Sequence, residues 1–308
     1  MLLFWGASLC LFCELLGWDV VSTWWASLVP AAQAAFVALA VTMVMLTGML
    51  LEQLTVSIAQ LAAGQWRRPF LGLARKFRDR RQKGLASKQQ RFSQLLLKEV
   101  LAQPTQPAPE ERAEAARLDA ELAHRPADPA QSMPTALGDV LRAATEYPRR
   151  RYGLDPSVTW PRLYPVLSET LRGALSGARG NMDALLRAAA LSVAFGLVWG
   201  VWLFVARRYL LAALVAAGGV LLALLSYSGA LQAGATYGTL LRTAFDLHRF
   251  DLYKALHWPL PLHWHDEKPA APGQPNTQGQ LLTQFLHRGL GVPDVEYEHP
   301  KDPGAKAA

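Results

Sequence analysis

Between Arg208 and Arg242 the chain reads YLLAALVAAGGVLLALLSYSGALQAGATYGTLL, without a single Asp, Glu, Lys or Arg. About 20 apolar residues, at ~1.5 Å of rise each, cross a hydrocarbon core of ~30 Å, so this run predicts a membrane-spanning helix over 210–231. Helical spacing continues through Tyr237, Leu240, Leu241, Ala244 and Phe245 to Leu256, and Pro259 stops it. A second uncharged run lies between Asp19 and Glu52 and predicts a span over 31–51, entered after the helix breaker Pro30. A third covers 188–205 and ends at Arg207 and Arg208, so the last two helices are joined by a turn of a few residues and run antiparallel. A weaker apolar run, 2–21, is interrupted by Glu14 and Asp19 and reads as a first span rather than a cleaved signal, since no Lys or Arg precedes it.

Overall, 51% of the 308 residues are hydrophobic and 18% are charged. That average suits a soluble protein, but the uneven spread of charge excludes both a purely soluble enzyme and a disordered chain. The net charge of +7 is concentrated as well. From 67 to 98 there are eleven Lys or Arg against the one acid Asp79. Because positive loops stay on the cytoplasmic side, this segment orients the chain with its middle region and C-terminus in the cytoplasm. Arg207 and Arg208 oppose that orientation but are outnumbered.

The expected fold is mainly α, with four transmembrane helices in two hairpins and a helical cytoplasmic domain between them. Its parts are an N-terminal hairpin (1–64), a basic amphipathic segment (65–103), linkers with an exposed helix (104–134), a cytoplasmic helical domain (135–187), the C-terminal hairpin (188–231), a cytoplasmic extension of the last helix (232–258) and a flexible tail with a short helix (259–308). In the C-terminal hairpin Ser192, Gly196 and Gly200 fall four apart, a small-xxx-small pattern that lets backbones approach, and Ala212, Ala216 and Gly219 play the same part opposite. Ser228, Gln232 and Thr236 form a polar stripe near the membrane exit, suited to an interface or a pore mouth. In the basic segment Arg67, Arg68, Arg75, Lys76, Arg78, Arg80, Arg81 and Lys83 accompany Phe70, Leu73 and Phe77 at helical spacing, a pattern that suits anionic lipid headgroups at ~1 kcal/mol per basic residue. Nucleic acid is the sharper alternative and is disfavoured, for want of an RNA-binding or zinc-finger signature.

In the middle domain Leu137, Val140, Leu141 and Ala144 make a helix face expected to end at Tyr147-Pro148. Asp155-Pro156 starts the next helix with a capping side chain and a first-turn proline, and Asn181 is expected to cap the third span. Three motifs carry a resemblance: EYP at 146–148 with RYGLD at 151–155, WPRLYP at 160–165, and YG…LR…AFDLHRF over 237–250. Together they resemble an uncharacterised family of bacterial multi-pass integral membrane proteins. The resemblance implies the architecture and a bacterial cytoplasmic membrane but no activity. Arg151, Asp155 and Arg162 are expected to meet Arg242, Asp246 and Arg249 below the bilayer and couple the domain to the last helix.

No phosphate loop, dinucleotide-binding glycine motif, nucleophile elbow or zincin motif occurs, so no catalytic residue, metal or cofactor is assigned. His257, His263 and His265 with Asp266 and Glu267 supply metal-binding side chains at a spacing that matches no standard site. Cys10 and Cys13 are read as small hydrophobes. The leading reading is a non-enzymatic oligomeric scaffold or signalling component. Its expected partners are anionic headgroups, further copies of this chain and a cytoplasmic protein. The alternative is an ion or solute pathway built from the last two helices, although the internal repeat and broken central helices of a carrier are missing.

Overall fold

The computed structural model describes residues 2–66, 71–101, 108–261, 263 and 277–289. The described residues hold helices and no strand: α1 (Leu2–Leu16), α2 (Trp18–Ser27), α3 (Pro30–Ala62), α4 (Leu71–Leu101), α5 (Pro109–Leu122), α6 (Ala136–Tyr152), α7 (Pro156–Leu163), α8 (Glu169–Val205), α9 (Tyr209–Ala255) and α10 (Gln278–Arg288). Two compact units divide the chain, 1–62 with 181–230 and 63–180 with 231–308. Helices α8 and α9 contribute to both.

In the first unit, α3, α8 and α9 are each long and apolar enough to cross a membrane. The most apolar stretch of α3 has no buried residue, and that of α8 or α9 only 11%. Helices with their apolar side chains turned outward need an apolar solvent, because water would expose hundreds of Å² of hydrocarbon without compensation. The weak first span is not one straight helix. At Gly17, φ is +88° and the chain turns by 101° between α1 and α2. Glycine reaches that conformation without a Cβ clash, and the charged residues Glu14 and Asp19 flank the bend. Trp5 Nε1 donates to Thr47 Oγ1 of α3 at 3.1 Å, and Trp199 Nε1 of α8 donates to Ser8 Oγ at 3.1 Å.

Small residues set the distance between α8 and α9. A Cβ added to Gly219 would stand 2.8 Å from the Ser192 carbonyl oxygen and 2.9 Å from Gly196 Cα, and one on Gly200 would meet the Ala216 methyl at 3.4 Å. Ala212 is buried beside Gly200, whose added Cβ would lie 3.8 Å from the Ala212 carbonyl oxygen. The turn between the two helices passes through Arg207 in the left-handed region. Helix α8 begins far ahead of the apolar run, at Glu169, so Asn181 lies inside it and caps nothing. Ser168 serves the start instead, its Oγ accepting from the Leu171 N–H at 3.4 Å.

The second unit has an internal core. Tyr152, Leu154, Leu163, Leu167, Leu175, Phe245, Leu252, Tyr253, Trp258 and Leu282 are all buried in one cluster drawn from α6 to α10. Helix α6 runs past Pro148 to Tyr152. Proline removes one N–H near the end of the helix, and Gly153 at φ +69° then closes it, with the Gly153 N–H donating to the Arg149 carbonyl at 3.1 Å and that of Leu154 to Pro148 at 3.2 Å. Likewise Pro161 lies inside α7, which begins on the Asp155 cap.

The short helix of the C-terminal tail and the region after α5 both pack within the second unit. Helix α10 docks through Leu282, which is fully buried, and through Thr283 Oγ1, which donates to the Gly153 carbonyl and accepts from the Asp155 N–H, both at 3.1 Å. The region after α5 is anchored too: Pro134 packs on Gly64, where a Cβ would lie 2.9 Å from the proline ring. Helix α4 lies beside α5, joined by Arg91 with Glu114 at 2.9 Å, Lys98 with Glu111 at 3.0 Å, and Lys88 with Glu121.

Candidate functional site

The extra turn of α6 beyond Pro148 places Arg149, Arg150, Arg151 and Tyr152 in the second unit. On α9, Arg242, Asp246, Arg249 and Phe250 recur at steps of three and four and therefore share one face. Asp246 is where the two helices meet. Its carboxylate accepts from the Tyr147 hydroxyl at 3.0 Å and from that of Tyr152 at 2.5 Å. The guanidiniums lie over ring faces, within the field of the carboxylate: Arg151 lies 5.7 Å from the centroids of both tyrosines, Arg242 5.4 Å from Tyr147, and Arg249 4.7 Å from Tyr152 and 4.1 Å from Phe250. Each contact is a cation over the negative face of a ring.

The expected coupling of Arg151, Asp155 and Arg162 to Asp246 and Arg249 is thus corrected. Tyrosines mediate it, and two members of the set act elsewhere. Asp155 caps α7 and pairs with Arg149 at 2.5 Å, while Arg162 donates back to the Val158 carbonyl at 2.6 Å. The reason is reach. Asp155 is the N-cap of α7 and Arg162 lies in its last turn, and the side chain of each finds polar partners close by in the chain.

Burial, followed by the hydrogen bond to Asp246 and its negative charge, pushes the Tyr152 hydroxyl well above its ordinary value, and the same causes raise Tyr147. A raised acid favours the protonated folded state. Its contribution is fully present below the unfolded value of about 10 and is lost as pH climbs above it. Chemical unfolding in neutral detergent is therefore expected to show a stability that falls above about pH 10, with a shallower fall in Tyr152→Phe. An unchanged slope in that variant would remove Tyr152 from the account.

A second cluster centres on Asp139, whose side chain is 3% exposed. It accepts from Arg81 Nη2 at 2.7 Å, Arg81 Nε at 3.1 Å, Arg125 Nη1 at 3.0 Å and the Met133 N–H at 2.6 Å. Nothing in the local pattern singled out Asp139, which reads as an ordinary first-turn acid of α6. Its one sequence signal is a polar residue between the buried positions Leu137 and Val140. Because Arg81 is spent here, it leaves the set expected on anionic headgroups. Arg75, Lys76, Arg78, Arg80 and Lys83 are exposed on α4, and Arg67 and Arg68 lie outside the described residues.

Two open clefts flank the buried Glu146. One, of about 390 Å³, holds Arg142, Arg149 and Arg179 together with Asp155. The other, of about 510 Å³, is lined by Arg125, Arg150, Arg151 and Arg242, with Phe92, Leu122 and Pro126 as apolar wall. Burial shifts the Arg242 guanidinium downward. Nearby, His124 is held towards its neutral form first by burial and then by the charges of Arg242 and Arg125.

Ser228, Gln232 and Thr236 are all exposed. Ser228 Oγ donates to the Leu225 carbonyl at 2.7 Å and Thr236 Oγ1 to that of Gln232 at 3.1 Å. Among the described residues no group of three His, Cys, Asp or Glu side chains converges to hold a metal, and His265, Asp266 and Glu267 lie outside them. Cys10 is exposed and Cys13 buried, both as free thiols. Compared with known protein families, curated proteins and solved structures, the chain finds no match in any of the three.

Proposed function

We propose that the protein is a multi-pass protein of the bacterial cytoplasmic membrane that acts, without catalysis of its own, as an oligomeric scaffold or signalling component. In this reading the spans form two hairpins, and the second unit is the cytoplasmic domain with the C-terminus on the same side. One observation carries it: α8 and α9 each contribute to an outwardly apolar unit and to a unit with its own core and a charged surface. The exposed basic residues of α4 support a cytoplasmic side for the domain by the positive-inside rule.

A second reading, an ion or solute pathway, is supported by the exposure of Ser228, Gln232 and Thr236. In this reading the stripe would line a pore formed by several copies of the chain. Mass measurement of the purified protein, paired with planar-bilayer conductance, separates the readings. The scaffold reading expects an oligomer without current. A ring carrying ion-selective current would overturn it in favour of the pathway, and a silent monomer would overturn both.

A further inference from the structure

The two clefts beside Glu146 differ in how their arginines are employed. In the smaller one Arg142 donates to Gln131 at 2.8 Å, Arg149 is paired with Asp155, and Arg179 lies over Tyr237 at 5.8 Å. In the larger one Arg125 is committed to Asp139 and Arg150 stands 3.9 Å from Glu146, while Arg242 and Arg151 rest over tyrosine rings within the field of the Asp246 carboxylate. Glu146 is the one carboxylate on that lining, against four guanidiniums. Arg242 also carries a buried Nε–H without a hydrogen-bond partner. A buried donor left unmade is costly, and two guanidiniums gathered on the single ring of Tyr147 repel each other. An anion entering the cleft relieves both. The fork of a guanidinium fits the oxygens of a phosphate, and the volume is that of a small-molecule site.

We propose that this cleft binds a phosphate or phosphomonoester group, with Arg242 and Arg151 as its main donors and Phe92, Leu122 and Pro126 against the uncharged remainder of the ligand. The hydroxyl bonds of Tyr147 and Tyr152 to Asp246 fix the rings on which both guanidiniums rest, so the donors are oriented before the ligand arrives. The inference does not depend on whether the protein is a scaffold or a pathway. Two sources present this chemistry, a soluble phosphorylated metabolite and a phospholipid headgroup.

The test is calorimetric titration of the full chain in neutral detergent with sodium pyrophosphate and, separately, with short-chain phosphatidic acid. Saturable one-site binding is expected, weakened at least about tenfold by Arg242→Gln or Arg151→Gln, with charge-attenuated Arg142→Gln of the smaller cleft as an unchanged control. Arg151 is exposed, so its variant reports on binding even if Arg242→Gln misfolds. Binding of pyrophosphate identifies a soluble ligand, and binding of the lipid alone a headgroup. No binding of either probe, or equal binding by Arg151→Gln and wild type, would overturn the proposal.

Discussion

Asp139→Ala is expected to lower the stability of the second unit by about 3 kcal/mol, because removing one member of a buried ionic network typically costs ~3–5 kcal/mol. The lower end applies because Arg81 and Arg125 are 28% and 24% exposed and regain water once released. The Met133 N–H loses its acceptor in the same step. Asp139→Asn keeps an acceptor oxygen and is expected to lose about half as much. Glu114→Ala, which removes the exposed partner of Arg91 on α5, serves as contrast and is expected to leave the unfolding curve in place. Denaturant unfolding of the detergent-solubilised chain reads all three. Equal curves for Asp139→Ala and Glu114→Ala would show that burial does not set the value of this network.

The next largest effect is expected at Gly279, at the start of α10. A Cβ there would run into the Tyr152 carbonyl oxygen and come within 3.3 Å of the Tyr253 hydroxyl. Backbone cannot yield as the tip of a flexible side chain does, so Gly279→Ala forces α10 off its seat at a cost of about 2–3 kcal/mol. Its neighbours share the dependence. Thr277 and Gln280 close a capping box against Gly153, and Trp258 Nε1 donates to Gln278 at 3.1 Å. Amide hydrogen exchange is expected to accelerate across 278–288 while the interior of α6 stays protected. Gln284→Ala on the exposed face of α10 is expected to leave exchange unchanged. Retained protection in Gly279→Ala would mean that α10 is not seated through this glycine.

How far the sequence was legible varies by residue. The long apolar stretches of α3, α8 and α9 were readable because a bilayer imposes its demand within about 20 consecutive residues, and composition alone reports it. The Asp155 cap was readable for a similar reason, since its partner, the Ser157 N–H, is two positions away. Gly17 was not read as a bend. A glycine permits a left-handed turn without requiring one, so the residue type alone does not announce the bend. Pro148 was read as a stop because its local effect is to weaken a helix, whereas burial of Tyr152 beyond it outweighs that effect.

In the candidate site Arg242, Asp246 and Arg249 stand out within the motif over 237–250, but the tyrosines that join them to α6 do not. Opposite charges were matched to opposite charges, and the tyrosines that the structure places between them carry no formal charge to attract attention. Sequence by itself therefore determined which segments are apolar enough for lipid, where the positive charge lies, and that Asp155 starts a helix, all properties set within a few turns of chain. Tertiary structure alone decided that Asp139 holds Arg81, that Tyr152 holds Asp246 and that Thr283 pins α10 to Gly153, contacts between residues 58, 94 and 130 positions apart. Such pairs leave no local periodicity, because what joins them is the burial of a common core.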